Sequence, residues 1–401
     1  MSQLKNTYIP YGAYWSTPFV KWQGNFAALH PLRFAADVAK RALADRAIDP
    51  GLFDGFQLGM TVPAPHSLYG APWLAAMLGA PAVTGPVVNQ VCATSARVVA
   101  NAAFELEAGA ANVILCITAD RCSNGPQMIY PNPSSPGAKP EMEHWVFDNF
   151  GYDPYAGGSM LQTAENVARR EEITTEEQHE VVLMRHAQYA HALADDRAFH
   201  KRYMVSPVEV KNERGKVTAT VTDDEGVFPS TPDGLARLKP VLADGTVTYG
   251  GQTYPADGSV GLVLTTQERA RDLSRDANIT VQVLSFGQAR AEKGYMPIAP
   301  VPAAQKALDA AGITIRDVSA IKMHDPFAVN DIYFARAMGV PLESINNYGC
   351  SLIWGHPQGP TGMRLIVELI EELALKGGGY GLFTGCAAGD TGAAVVLKVT
   401  G

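Results

Sequence analysis

Four residues carry the chemistry this sequence can offer, and each stands where a strand-like run meets a turn or a helix. Cys92 lies in "VNQVCATSARVVANAAFELEAG", residues 88 to 109, at the start of a helix-like run. Unpaired amides and the helix dipole at such a start lower a thiol's pKa and favour a nucleophile, whereas a packed cysteine is only a small hydrophobe. His356 sits in "WGHPQGPTG" between Gly355 and Pro357, in a turn whose glycines let backbone and substrate approach closely. There it is either a general base for a thiol or a structural turn histidine. In "MHDPFAVND", His324 and Asp325 end the strand-like "AIKM" and precede a helix, as a catalytic pair or a cap. Cys386 in "FTGCAAGDTGA" lies between a buried strand and a Gly-rich turn, where a second thiol can shuttle a proton or simply pack.

The elements that would position these residues alternate. "LRFAADVAKRALADRA" and "SARVVANAAFELEAG" read as helices; "GFQLGMTV" and "NVILCITA" read as strands. That alternation predicts an α/β fold with a mostly parallel sheet. From about Asp120 to Asp244 the texture changes. A Pro/Gly/Asn-rich loop precedes two helices, the second opened by a Thr174–Glu177 capping box, and then a strand and loop. This middle third is expected to cover something. After Ala277 the α/β texture returns. Each half then carries a turn, a helix, a short Gly- or Ala-rich link and a strand, so two related halves would gather their loops at one sheet end.

Composition excludes several partners. The net charge is −8 and no Lys/Arg run tracks phosphates, which argues against nucleic acid. No apolar stretch nears the roughly 20 residues of a membrane-spanning helix. The start "MSQLKNTYIPYGAYW" lacks the apolar core of a secretory signal. Five widely spaced cysteines point to free thiols in a reducing compartment, and a cytoplasmic location is expected. Without CxxC or HExxH spacing, no metal site is expected.

Taken together, Cys92, His324, His356 and Cys386 resemble the thiolase family. "VNQVC" matches its nucleophile turn, "GHPQGPTG" its activating-histidine loop, and "CAA" its CxG-like acid/base loop. Further matches run through "TAENVARREEITTEEQHEVVLMRHAQYA", "LKPVLADGTVTYGG" and "APVPAAQKALDAAGI". The resemblance implies a thiolase fold: two α/β halves in five layers, α-β-α-β-α. It implies an N-terminal half over 1–119 completed by about 245–270, a loop domain over 120–244, and a C-terminal half over 277–401. It implies CoA-dependent thiolysis of a 3-oxoacyl-CoA, or the reverse Claisen condensation, with coenzyme A as substrate and no permanently bound cofactor. Cys92 would be the nucleophile, His356 its base and Cys386 the carbon acid/base. The Cys92 and Ala388 amides would form one oxyanion hole, and His324 and His356 the other. Gly355, Gly385 and Phe327 would contact substrate. A homodimer or tetramer, with a small accessory subunit as a further option, would act in fatty-acid or aromatic degradation.

Four changes depart from the family pattern. "HDPF" replaces the common "NEAF", as in the sterol-carrier-protein type; Ala388, Ser95 and Cys350 stand where glycines are usual. Two other functions therefore stay open: a decarboxylating ketosynthase-type condensing enzyme, against which Cys386 weighs, and a non-catalytic acyl-CoA-binding subunit.

Overall fold

The computed structural model describes residues 3–212 and 214–401. Its first sheet holds β1 (Tyr14–Ser16), β2 (Val20–Lys21), β3 (Gly55–Gly59), β4 (Val87–Val88), β5 (Val113–Arg121) and β6 (Ala256–Thr265). The order is β1-β6-β5-β3-β4, with β2 also paired to β6. The second sheet runs β7-β10-β9-β8, from β7 (Thr280–Arg290), β8 (Val318–His324), β9 (Gly378–Ala387) and β10 (Thr391–Thr400).

The expectation of a mostly parallel sheet is corrected. β3 pairs parallel with β4 and β5, and β8 with β9, but every pairing of β6 and β10 is antiparallel. For β10, connection length is the reason. A parallel neighbour needs a crossover of a dozen or more residues, usually a helix, whereas β9 reaches β10 through three residues and can only fold back. Left-handed backbone at Gly389 and Asp390 closes that turn.

Among the described residues, eight helices of nine residues or more complete the frame: α1 (Pro31–Asp45), α2 (Gly70–Leu78), α3 (Thr94–Glu107), α4 (Met160–Arg170), α5 (Thr175–Arg197), α6 (Pro300–Ala311), α7 (Ala328–Met338) and α8 (Gly359–Leu375). Helix α1 opens on Pro31, whose fixed φ suits a first turn. Its buried stripe Leu32, Ala35, Ala36, Ala39, Ala42 and Leu43 meets the outer face of the first sheet. Helices α6 and α7 cover the outer face of the second sheet. Between the sheets lie α3 and α8, where Ala96, Ala100 and Ala103 let the two helices touch. The layers are thus α-β-α-β-α.

Residues 359 to 373 of α8 are all buried, including four charged side chains. Burying a charge is costly unless it is paired; three of these bond to the middle third of the chain, and Glu372 pairs with Lys322 of β8 at 3.1 Å. Arg364 grips Asp224 through two bonds of 2.7 and 2.8 Å, Tyr203 donates to Glu368 at 2.6 Å, and Arg202 to Glu371 at 2.6 Å. The inserted residues are therefore tied to the central helix that carries His356 at its threshold. The Thr174–Glu177 capping box opens α5.

Candidate active site

Strand β4 leads into a tight turn that presents Cys92 just before α3. Val91 sits at φ 49°, costly for a β-branched residue. Its neighbours hold it there: Asn89 Oδ1 accepts from Val91 N at 2.9 Å, and Thr94 Oγ1 donates to the Val91 carbonyl at 2.6 Å. The strained turn turns Cys92 inward toward α8.

The facing turn brings His356. Its backbone N–H donates to the Tyr254 carbonyl at 2.8 Å, its Nδ1 meets Thr361 Oγ1 at 2.6 Å, and its Nε2 lies 3.2 Å from Cys92 Sγ. Asp120, at the end of β5, accepts from Gly359 N at 2.8 Å and from Thr61 and Val62, so one carboxyl fixes both the start of α8 and the wall beside Cys92. Burial pushes that carboxyl up to about 7. Gln358 is held in left-handed backbone (φ 63°), and its Oε1 lies 3.5 Å from Cys92 Sγ.

His324 ends β8. Its ring stacks on that of His356, centroids 4.0 Å apart and planes 25° from parallel. Its Nδ1 contacts Ser351 Oγ at 2.8 Å, and its Nε2 is buried with no protein partner. Cys386, next to last in β9, accepts from Asn330 Nδ2 at 3.3 Å. Both halves of the chain thus supply the site, one thiol from the first and the other three groups from the second.

The electrostatics overturn one expectation. The helix start does not acidify Cys92: burial pushes the thiol up to about 12, against the pull of the Ala388 and Cys92 backbone amides. Burial lowers His324 to about 3, and burial with the neighbouring His324 ring holds His356 well below the usual histidine range. Burial, with Cys92 close by, also raises Cys386. The resting set is therefore neutral, two thiols and two uncharged imidazoles, and charge appears only as the proton moves.

Cys92, His324 and His356 each present a ligand-type atom within 4.8 Å of the others. A tetrahedral ion needs lone pairs that converge on one point about 2.0–2.3 Å away. Two stacked rings send their in-plane lone pairs side by side instead. The set fits proton transfer and does not fit a metal ion.

Two cavities meet at this floor. One, of about 300 Å³, is lined by Cys92, His356, Phe327, Pro326, Met296, Leu161 and the segment Gln252–Pro255. The other, of about 320 Å³, is walled by Trp145, Val146, Tyr152, Tyr155, Val62, Val91 and Arg290. Phe150, Met160, Gln358 and Ala388 belong to both. His324 and Cys386 sit one layer beneath. Gly355 and Gly385, expected to contact substrate, line neither cavity. A Cβ on Gly385 would stand 2.8 Å from the His324 Cβ, and one on Gly355 (φ 87°) would stand 2.7 Å from the Tyr254 ring. They make room for site residues instead. Sequence reasoning missed Gln358, Ser351, Asn330 and Asp120. Only Gln358 had a local signal, as the one polar side chain inside the "GHPQGPTG" turn.

The departures each find a physical place. Ala388 keeps a negative φ and the left-handed positions fall on Gly389 and Asp390, so the methyl leaves the Ala388 amide free to point at Cys92. Ser95 Oγ donates to the Gly359 carbonyl and joins the starts of α3 and α8. Cys350 is fully buried against Asp325 on extended backbone that any residue adopts.

Residues 13–268 match the family model for the thiolase N-terminal domain, and residues 277–399 match that for the thiolase C-terminal domain. The human mitochondrial 3-ketoacyl-CoA thiolase is 28% identical over 397 residues, covering 96% of each chain. The crystal structure of a Bacillus anthracis acetyl-CoA acetyltransferase superposes with a TM-score of 0.90 at 26% identity, covering 100% of both chains. The human mitochondrial enzyme solved in complex with CoA gives a TM-score of 0.89 at 24% identity, over 100% of this chain and 99% of that one.

Proposed function

The chain belongs to the thiolase family, acyltransferases that cleave 3-oxoacyl-CoA with CoA as the second substrate, and on that premise we propose a role for each group on the floor. In the thiolytic direction His356 Nε2 takes the Cys92 proton, and the sulfur attacks the 3-keto carbon. The amides of Cys92 and Ala388 hold the oxyanion. The bond between C2 and C3 breaks, the acyl group stays on Cys92, and the leaving fragment is the enolate of a shorter acyl-CoA. Protonated His356 and the His324 ring donate to the enolate oxygen, and the Cys386 thiol protonates its carbon. The proton on His356 then returns to the Cys386 thiolate, and CoA gives its own proton to His356 and attacks the acyl-Cys92 carbonyl. The Cys92 sulfur leaves and recovers its proton from His356. The observation that carries this reading is the 3.2 Å contact between Cys92 Sγ and His356 Nε2 at the meeting point of two cavities. A thiol at Cys386 favours it over decarboxylating condensation, which generates its carbanion without one.

The enolate oxygen has to face the histidine pair, so the CoA-bearing fragment occupies the cavity of Phe327, Pro326 and Met296. The acyl chain then takes the other. Four aromatic rings in that second wall favour bulky, branched or aromatic acyl groups over short linear ones. Thiolysis of a 3-oxoacyl-CoA panel, followed by loss of the enolate absorbance, tests this. The reading expects the branched and aromatic members to show the higher kcat/KM. Fastest turnover of the shortest member would contradict it.

A homodimer or tetramer is supported by the open edge of the first sheet. There β4 carries the exposed Val87, against Gly70 and the exposed Leu68 and Tyr69. Light scattering after gel filtration checks the mass. A cytoplasmic setting rests on the five free thiols.

A further inference from the structure

Once Cys386 has given its proton to the enolate carbon, it is a thiolate in the buried interior, and the reaction scheme above names nothing that holds this charge. An anion buried there without a donor is costly. Among the described residues, one side chain brings a donor to the sulfur: Asn330, whose Nδ2 lies 3.3 Å from Cys386 Sγ. Asn330 is fully buried in the first turn of α7, where its backbone N–H donates to the Phe327 carbonyl at 2.9 Å. The next residue, Asp331, is paired with Arg185 of α5 at 2.7 Å, so this turn is fixed and the amide is held against the sulfur. In the resting enzyme the amide is poorly served. Its Oδ1 has no partner, and a thiol sulfur is only a weak acceptor. A buried amide so placed costs stability relative to an apolar group of the same shape. The contact becomes strong when the sulfur is charged, because a hydrogen bond to an ion is about twice as strong as a neutral one.

We propose that Asn330 is a further catalytic residue, whose side-chain N–H donates to Cys386 Sγ and holds the thiolate while the proton is on carbon. The resting orientation of the amide does not matter to this role. A thiol can accept an N–H or give its S–H to Oδ1, but a thiolate has only lone pairs, and only Nδ2 can face it. With Nδ2 on the sulfur the S–H is free for the substrate carbon, and the group left unpaired is a carbonyl rather than an N–H, the less costly of the two. In thiolysis the S–H bond of Cys386 breaks as the C–H bond at C2 forms. The electron pair left on sulfur then faces the Asn330 N–H until the His356 proton returns. In condensation the same contact favours the thiolate that removes the C2 proton. Burial and Cys92 push the Cys386 thiol up, and the Asn330 side chain pulls it down. This role rests on the reading of Cys386 as the carbon acid/base.

The test separates proton transfer at carbon from acyl transfer. Exchange of the C2 hydrogens of acetyl- or propionyl-CoA in deuterated water, read by mass spectrometry, needs the Cys386 thiolate and forms no carbon–carbon bond. Asn330→Leu keeps the size of the side chain and removes the donor. It should lower C2 exchange and kcat for thiolysis about 10- to 100-fold, the scale of one hydrogen bond to a charged group. KM and exchange of labelled CoA into acyl-CoA, which makes no carbanion, should hold, and Tm should hold or rise. C2 exchange at the wild-type rate would overturn the proposal. So would an equal loss of both exchanges with a lower Tm, which would make Asn330 a packing residue. If Asn330→Leu does not fold, Asn330→Ala, which needs no new space, bears the same comparison of the two exchanges. Asn330→Gln keeps an amide and should retain more C2 exchange than the leucine variant; an equal loss would count against the role. In Cys386→Ala, adding Asn330→Leu should cost nothing further, because the sulfur it serves is gone, and a further fall would overturn the proposal. If Cys386→Ala itself kept C2 exchange, the acid/base reading would fail and the role of Asn330 with it. If Cys386→Ala lost C2 exchange while Asn330→Leu kept it, only the role of Asn330 would fail.

Discussion

On the floor of the site, Cys92, His356, His324 and Cys386 are 9%, 4%, 1% and 1% exposed, each at a strand end or a helix start in the doubly covered interior. Above them the inserted residues are built differently. Tyr152 and Tyr155 are 58% and 55% exposed, and short-range ties hold the segment, such as Asp153 Oδ1 accepting from Tyr155 N at 2.7 Å. Trp145 Nε1 anchors it to the Thr61 carbonyl at 2.8 Å. The floor is fixed by packing from every side, so its groups can be held neutral and close. On the proposed reading the floor sets the rate and the roof sets selectivity.

The separation can be broken at its strongest point with Cys386→Ala. A carbon acid/base typically contributes about 10²- to 10⁴-fold, so thiolysis and condensation should fall by that much. Exchange of labelled CoA into an accepted acyl-CoA should persist. Equal loss of both, measured on one folded preparation, would make Cys386 a packing residue. Next in size, His324→Ala should lower carbon–carbon cleavage by about 100-fold, the scale of one oxyanion donor. His324→Asn should recover part of it through the amide. A His324→Ala rate near wild type would remove the ring from the mechanism.

Roof variants should do less and do it elsewhere. Phe150→Ala or Tyr152→Ala should change the kcat/KM ratio between a bulky and a short acyl-CoA by about tenfold, the scale of a modest loss of apolar contact. The rate of CoA exchange on the short substrate should stay put. A comparable fall in both would mean that the roof also builds the floor.

An effect of another kind is in stability against pH. An unfolded histidine takes a proton near 6.5, while burial lowers folded His324 to about 3 and keeps folded His356 well below 6.5. Below pH 6.5 the unfolded chain therefore binds protons that the folded one does not. Stability should fall as pH falls, by about 1.4 kcal/mol per unit for each such histidine, and should be flat in this respect above. Urea midpoints read at successive pH values should show a shallower acid slope for His324→Gln. Roof variants should keep the wild-type slope.

The same contrast explains what could be read from the chain. All four chemical residues were legible because each lies in a short stretch at a turn beside a strand or helix, and the four stretches together resemble the thiolase family. The raised pKa of Cys92 was not. A helix start is a local feature, but burial comes from α8, the inserted region and the second sheet, and it outweighs the local dipole. The antiparallel strands escaped for a related reason: alternation of helix and strand does not say that β10 returns by a short turn, or that β6 comes back beside β5 only after the long inserted region. Gly355 and Gly385 read as substrate contacts because glycine permits close approach, yet only the fold says that the approaching groups are Tyr254 and His324. Ser351 carried no signal. It lies 27 positions from the ring it holds.

The central claim is that Cys92 becomes acylated with His356 as its base. Protein incubated with a 3-oxoacyl-CoA in the absence of free CoA, quenched in acid and digested, should carry the acyl mass on the peptide containing Cys92. An equal amount of shorter acyl-CoA should be released, and Cys92→Ser should carry no adduct. An acyl group on Cys386 or Cys350 instead, or release of the shorter acyl-CoA with every thiol unmodified, would contradict the account.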